Sequence, residues 1–340
     1  MQKSLISTIS DRYRQQDFDS INSKDDLRPA DIRRLCLELG IAIIAAYFLQ
    51  KFCVIVSVYI IRAILSAGIS SDTTAFAFLK YLLSSISSYL PKICVFAVLY
   101  HKYKPLKRLD TQYENKSYYP LVIIPAMFAF AMWGSNITKV INYALQAFFG
   151  AGAISNVMEG MAPQGIADGI VILLFSSVVA PVFEEYIYRH LLLRPLKIIG
   201  DTPAIILSAL IFGLVHGNFD QFAYAFLSGI ILGLIAVRYD SIIPSIILHL
   251  INNFFVSIVT YQSRLAGGGE LWDSIVNVAA TFGNFIINIS YYVAPFVAVF
   301  LAFCGMAKLT PIGGEQKYKK MLAVFSPVLI ISFAVLLLQF

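Results

Sequence analysis

Two adjacent glutamates, Glu184 and Glu185, follow an almost uninterrupted apolar run from Ile170 to Ala180. A charge at bilayer depth costs roughly 2.5–3.5 kcal/mol even on a lenient insertion scale, so a pair at this place is expected to have a use. On a helix Glu185 and Arg189 are i and i+4, the order that favours an ion pair, while Glu184 is turned about 100° away and stays available. A carboxylate that shares a cavity with water can take a proton from it as general base. Two histidines belong to the same inventory: His216 ends the apolar run that starts at Ala204, and His249 lies inside the run from Ile242 to Asn253. His216 can hold and polarise the water. His249 and Asn253 are i and i+4 on one helix face, so their N–H groups can point together at one spot, as an oxyanion of a tetrahedral intermediate requires. Arg189 would fix the acidic helix through Glu185.

The same residues allow a second chemistry. Glu184, His216 and His249 make one carboxylate and two neutral imidazoles, a zinc set with an open position for water, although the ligands come from separate helices and no HExxH spacing exists. Each histidine alone reads equally well as an interhelical hydrogen-bonding residue. Depth makes them a set. At 1.5 Å per residue, and with the basic loops as the cytosolic surface, Glu184 lies roughly 16 Å in, His249 roughly 12 Å and His216 roughly 20 Å. Ionisable groups that share a depth in a membrane are expected to share a cavity.

The elements that must position these groups are membrane helices. The chain has 340 residues, 58% hydrophobic and 14% charged, with mean hydropathy +0.74; a soluble domain carries about 25% charged residues. Apolar runs recur along most of the length and period-2 alternation is nowhere evident, which predicts an all-α polytopic bundle of eight or nine spans rather than a barrel. The expected spans are about Leu35–Leu65, Phe76–Tyr100, Tyr119–Phe149, Gly169–Leu193, Pro203–His216, Phe219–Val237, Ile242–Tyr261, Phe285–Cys304 and Met321–Leu338. Residues 1–34 read as a polar cytosolic tail with no cleaved signal, helical from Pro29. Residues 35–160 carry the first spans, 161–265 the chemistry-bearing core and 266–340 the last spans. Lysines and arginines at 102–116, 194–197, 238 and 308–320 alternate with acidic or neutral loops, placing the amino terminus inside. The net charge of +6 is a matter of topology and calls for no nucleic acid.

Local sequence supports a cavity near the glutamates. Pro181 should free the carbonyl of Ser177 and bend its helix, and Gly229 and Gly233 permit close approach of a neighbouring backbone. Cys36, Cys53, Cys94 and Cys304 show no CxxC spacing and read as buried free thiols. Solvent or interface positions suffice for His101 and His190.

At these residues the chain resembles the CPBP family of intramembrane proteases, also called the CAAX protease and bacteriocin-processing or Abi family, which includes the eukaryotic prenyl-protein endopeptidases. EExxxR appears as Glu184, Glu185 and Arg189, FxxxH as Phe212 and His216, and HxxxN as His249 and Asn253, in order on successive apolar helices between about Ile166 and Thr260. The resemblance implies hydrolysis of a peptide bond of a membrane-associated protein or peptide. Water would be activated at Glu184 with a histidine, the oxyanion bound by His249 and Asn253, and Phe212 would act in support. Proteins of this family are often labelled metalloproteases, so a divalent ion such as Zn²⁺ on Glu184, His216 and His249 is the cofactor to test. The sequence departs from the family where His190 stands in place of a frequent glycine and where Gly217 and Asn218 follow the second motif. Two other classes explain buried ionisable residues: a scaffold that keeps the protease fold and holds a partner membrane protein, and a transporter that relays protons or binds a cation. The transporter does not account for the three-part spacing and would lead one to expect internal repeats, and the intact set of Glu, Arg, His, His and Asn argues against the scaffold.

Overall fold

A backbone in hydrocarbon must satisfy its own hydrogen bonds, so long apolar runs with few charges become helices. A computed structural model of the chain describes residues 29–68, 73–103, 119–149, 166–303 and 327–337, and among them every regular element is helical. We number the helices α1 (Pro29–Ser66), α2 (Thr74–Tyr103), α3 (Tyr119–Phe149), α4 (Ile166–Leu196), α5 (Asp201–Leu214), α6 (Phe219–Arg238), α7 (Ile243–Leu265), α8 (Glu270–Phe303) and α9 (Pro327–Leu337). Within the described residues, five stretches are long and apolar enough to cross a membrane: 33–66 in α1, α2, α4, 221–238 in α6 and 243–263 in α7. Helix α5 is a shorter apolar helix. The expected spans agree closely with α1 to α7, but α8 begins at Glu270, far earlier than Phe285. The tail before Pro29, the loop 104–118, residues 150–165, Cys304 and the basic segment 308–320 lie outside the described residues.

The surface is that of a protein solvated by lipid. Glu185 (0% exposed) and Arg189 (1%) are inside, while Val98 (70%) and Phe296 (75%) face outward. A soluble protein rarely leaves apolar surface of this extent in water. The described cysteines follow the same inversion: Cys36 is buried, Cys53 half-buried and Cys94 exposed. The expectation of burial thus fails at Cys94, because an outward thiol costs little in an apolar solvent.

Helices in lipid gain nothing from leaving water, so close packing of small residues holds them together. Helix α3 makes its most extensive contact with α6, and a Cβ on Gly134 would come within 2.4 Å of the Tyr224 Cα. Helix α6 in turn packs on α5 through the two glycines singled out above. A Cβ at Gly229 would meet the Phe212 ring at 3.1 Å, and one at Gly233 would meet Ile205 at 3.1 Å. Helices α1 and α2 close over α4 and α5 around Leu35, Phe96, Ile187, Leu192 and Ile211, with Leu336 of α9 beside them. The ends of α4 and α6 meet at one end of the bundle, where Arg194 reaches Asp240 at 3.7 Å.

Helix α4 is not uniform. It is π-helical over Phe175–Val179, returns to α-helix over Ala180–Glu185, and is π-helical again over Tyr186–Leu193. Such widened turns cluster at functional sites. The first has a sequence cause in Pro181, which has no N–H to give.

Candidate active site

The freed carbonyl is one residue away from the expected place. Within the widened turn the Ala180 N–H donates to the Phe175 carbonyl, five residues back. In that register the missing N–H of Pro181 orphans Ser176, not Ser177. The Asn253 side chain of α7 fills the gap, its Nδ2 donating to the Ser176 carbonyl at 3.0 Å. The Ser176 hydroxyl is bound to α7 as well, 2.9 Å from that of Ser257. Asn253 is thereby fixed at a defect in α4, with the second N–H of its amide still to give.

Glu184 and Glu185 divide their labour as their helical phase predicts. Glu185 Oε2 lies 3.3 Å from Arg189 Nε, and Glu185 Oε1 accepts from His249 Nδ1 at 3.0 Å. Arg189 also donates to the Gly229 carbonyl at 3.3 Å and lays its guanidinium over the Phe212 ring, 4.6 Å from the centroid. A buried pair of this kind persists only with such additional partners. Glu184 instead faces a cavity, where it accepts from the Tyr89 hydroxyl at 3.3 Å, and its Oε2 lies 3.7 Å from His249 Nε2. Tyr89 is itself stacked on Phe183, with centroids 5.3 Å apart.

His216 lies just beyond α5 rather than inside it. The helix ends at Leu214, and the turn is completed by Gly217 at φ +65°. A side chain at that φ is disfavoured, which accounts for the glycine after the motif. Asn218 locks the turn: its Nδ2 donates to the His216 carbonyl at 2.8 Å, and its Oδ1 accepts from the Gln221 N–H at 2.9 Å to cap α6. The His216 Nδ1–H donates to the Phe212 carbonyl at 2.7 Å, so its neutral form presents the Nε2 lone pair. Phe212 is the common wall. Its ring meets those of His216 and His249 edge-on, at 5.0 and 6.0 Å between centroids.

The cavity has a volume of about 340 Å³ and is lined from α2, α4, α5, α6 and α7. Glu184, Phe212, His216, His249 and Asn253 are on its wall, whereas Glu185 and Arg189 lie behind it. All seven residues picked from the sequence therefore belong to one assembly, five at the surface of the cavity and two supporting it. His190 lies apart, stacked on Tyr186 at 5.3 Å and tilted against Tyr100 at 4.8 Å.

Both imidazoles hand Nδ1–H to a fixed acceptor, the orientation seen in metal-binding histidines. Yet among the described residues no group of three or more His, Cys, Asp or Glu side chains is arranged to hold a metal ion. The set of Glu184, His216 and His249 does not fit one, and no step below is routed through a metal.

Several residues of the site were missed from sequence. Tyr89 from α2 and Tyr224 from α6 are cavity residues with hydroxyls. Asn252, beside the motif asparagine, is buried and donates to both the Tyr224 hydroxyl and the Asn253 Oδ1. Lys92 is 6% exposed in the middle of α2. Its ammonium donates to the Ser88 carbonyl at 2.8 Å, and among the described residues it has no carboxylate in ion-pair contact. Tyrosines in a membrane chain with 19 of them carry no signal by themselves. A lysine inside an apolar run does, by the same reasoning that picked out the glutamates.

Similarity to known proteins falls on this part of the chain. Residues 166–255 match the family described as Type II CAAX prenyl endopeptidase Rce1-like. The membrane-embedded CAAX protease MroQ of Staphylococcus aureus (strain USA300) is 30% identical over 95 residues, which are 26% of this chain and 38% of that protein. The chain therefore matches well under half of this relative's length. No solved structure matches the chain. Over residues 166–255, the helices that carry the buried Glu/His cluster, the chain is similar to the Rce1-like CAAX endopeptidase family.

Proposed function

We propose that the chain is an intramembrane endopeptidase that hydrolyses a peptide bond of a membrane-associated protein or peptide. The observation that carries this reading is the convergence of Glu184, His216, His249 and Asn253 on one cavity within the bundle. Water held between the Glu184 carboxylate and the His216 Nε2 lone pair loses a proton to Glu184 as its oxygen bonds to the scissile carbonyl carbon. The carbonyl π pair moves to oxygen, giving a tetrahedral oxyanion. The second amide N–H of Asn253 and the Nε2–H of His249 in its imidazolium form donate to that oxygen. Glu184 then returns its proton to the departing amine as the C–N bond breaks, leaving an acid and an amine. Glu185 holds the His249 ring by Nδ1, and Arg189 holds Glu185.

CAAX-type substrates, prenylated at the cysteine, are the first class to try, because the matched family is described as a CAAX prenyl endopeptidase and the matched relative as a CAAX protease. The amino terminus is cytosolic in this reading, supported by the basic loops and by the meeting of Arg194 and Asp240 at one end of the bundle.

The test is cleavage by purified protein in liposomes, against a quenched prenylated CAAX peptide and unmodified membrane peptides. Wild type is run beside Glu184→Ala and His249→Ala, with and without a chelator. Cleavage is expected in wild type and lost in both variants. Equal cleavage by wild type and Glu184→Ala removes Glu184 as base, and loss of cleavage in chelator would bring a metal back into the mechanism.

A further inference from the structure

The direction of each hydrogen bond at the α4–α7 contact can be followed from one fixed point. The Ser176 carbonyl can only accept, so the Asn253 group 3.0 Å from it is Nδ2. Its Oδ1 therefore faces the other way, and the Asn252 group 3.2 Å from that oxygen is in turn Nδ2. The same Asn252 Nδ2 meets the Tyr224 hydroxyl. An amide N–H donates, so the phenol oxygen accepts, and its own proton is left without an acceptor among the described residues. Tyr224 lies on the cavity wall with Asn253, and so the proton has only the cavity to point into. A buried hydroxyl held as an acceptor on one side is an obligate donor on the other.

We infer that Tyr224 is a further catalytic residue, a third donor to the oxyanion of the substrate carbonyl, and that Asn252 is the positioning residue that sets its polarity. This rests on the peptide-hydrolase reading above. No electrons are transferred: the phenol shares its proton with the oxygen that gains charge as water adds, and keeps it when the carbonyl re-forms. The placement fits the need. Asn253 has committed one of its two N–H groups to Ser176, and His249 has an Nε2–H only as imidazolium. A neutral donor beside Asn253 makes up what those two lack.

The experiment uses full-length protein in liposomes and the peptide that wild type cleaves best. Tyr224→Phe keeps the ring and removes one oxygen, so kcat is expected to fall about a hundredfold, with KM changed by less than about threefold. The aldehyde of the same peptide forms a hydrate that mimics the tetrahedral intermediate, and it should lose the same factor in inhibition. An uncleavable ground-state peptide should not. Asn252→Asp turns the donor into an acceptor, draws the phenol proton away from the cavity, and should reproduce the kcat loss without adding to that of Tyr224→Phe in the double variant. Wild-type cleavage with an unchanged kcat in Tyr224→Phe overturns this inference and leaves the function standing. Equal loss of aldehyde and ground-state binding makes Tyr224 a packing residue and overturns it too. Absence of cleavage in wild type takes down both.

Discussion

The buried pair of Glu185 and Arg189 is best tested by breaking it in two ways. At 0% and 1% exposure neither side chain can recover water if its partner is removed. Arg189→Met leaves the Glu185 carboxylate buried with no cation fixed beside it, only the neutral donors His249 Nδ1–H and the Ser245 hydroxyl, and removing one member of such a pair costs about 3–5 kcal/mol. The double variant Glu185→Leu/Arg189→Met leaves no uncompensated charge. What remains is the His249 Nδ1–H without its acceptor, a loss of about 1–3 kcal/mol for one unsatisfied buried donor. The double variant should therefore be more stable than Arg189→Met by about 2 kcal/mol, a coupling that independent sites do not show. Activity should not follow stability, because His249 has lost the carboxylate that orients it, so the double variant stays as inactive as the single one. Unfolding of the detergent-solubilised protein gives the stabilities, and cleavage of the peptide in liposomes gives the activities. Additive stabilities would refute the claim that the pair stands mainly for its own charges. Recovery of activity in the double variant would refute the role of Glu185 in holding His249.

Three further outcomes are expected. Tyr89→Phe removes one charge-assisted hydrogen bond from Glu184 and should lower kcat about tenfold, with unfolding unchanged; an unaltered rate would show that this contact does not orient the base. Gly134→Ala drives a methyl to 2.4 Å from the Tyr224 backbone and should lower stability by about 1–3 kcal/mol, whereas Gly229→Ala, whose methyl meets the Phe212 ring and Ala209 no closer than 3.1 Å, should cost less; the reverse order in thermal unfolding would contradict the described α3–α6 contact. Lys92→Met puts an apolar chain of similar length in place of a buried ammonium that, among the described residues, has no carboxylate in ion-pair contact but feels the charge of Glu184, so stability should hold or rise while cleavage falls. A variant destabilised but fully active would make Lys92 purely structural.

What could be read along the chain was what depends on neighbours along the chain. Charges inside apolar runs are costly wherever the helices end up, so Glu184, Glu185, Arg189, His216 and His249 stood out without knowledge of their partners. Helical phase alone paired Glu185 with Arg189 and turned Glu184 away, and both relations hold in the structure. The spans were legible for the same reason, since hydrocarbon forces each backbone segment to bond within itself. The π-helical register was not legible: Pro181 announced a freed carbonyl, but whether four or five residues back depends on what α7 offers, and Asn253 selects Ser176. Tyr89, 95 positions from Glu184, and Tyr224, 28 from Asn252, have no local signature, because a hydroxyl is indifferent until something stands opposite it. The identities of the groups were fixed by local energetics. Which of them donate, which accept and which are left facing the cavity was decided only when the five helices met.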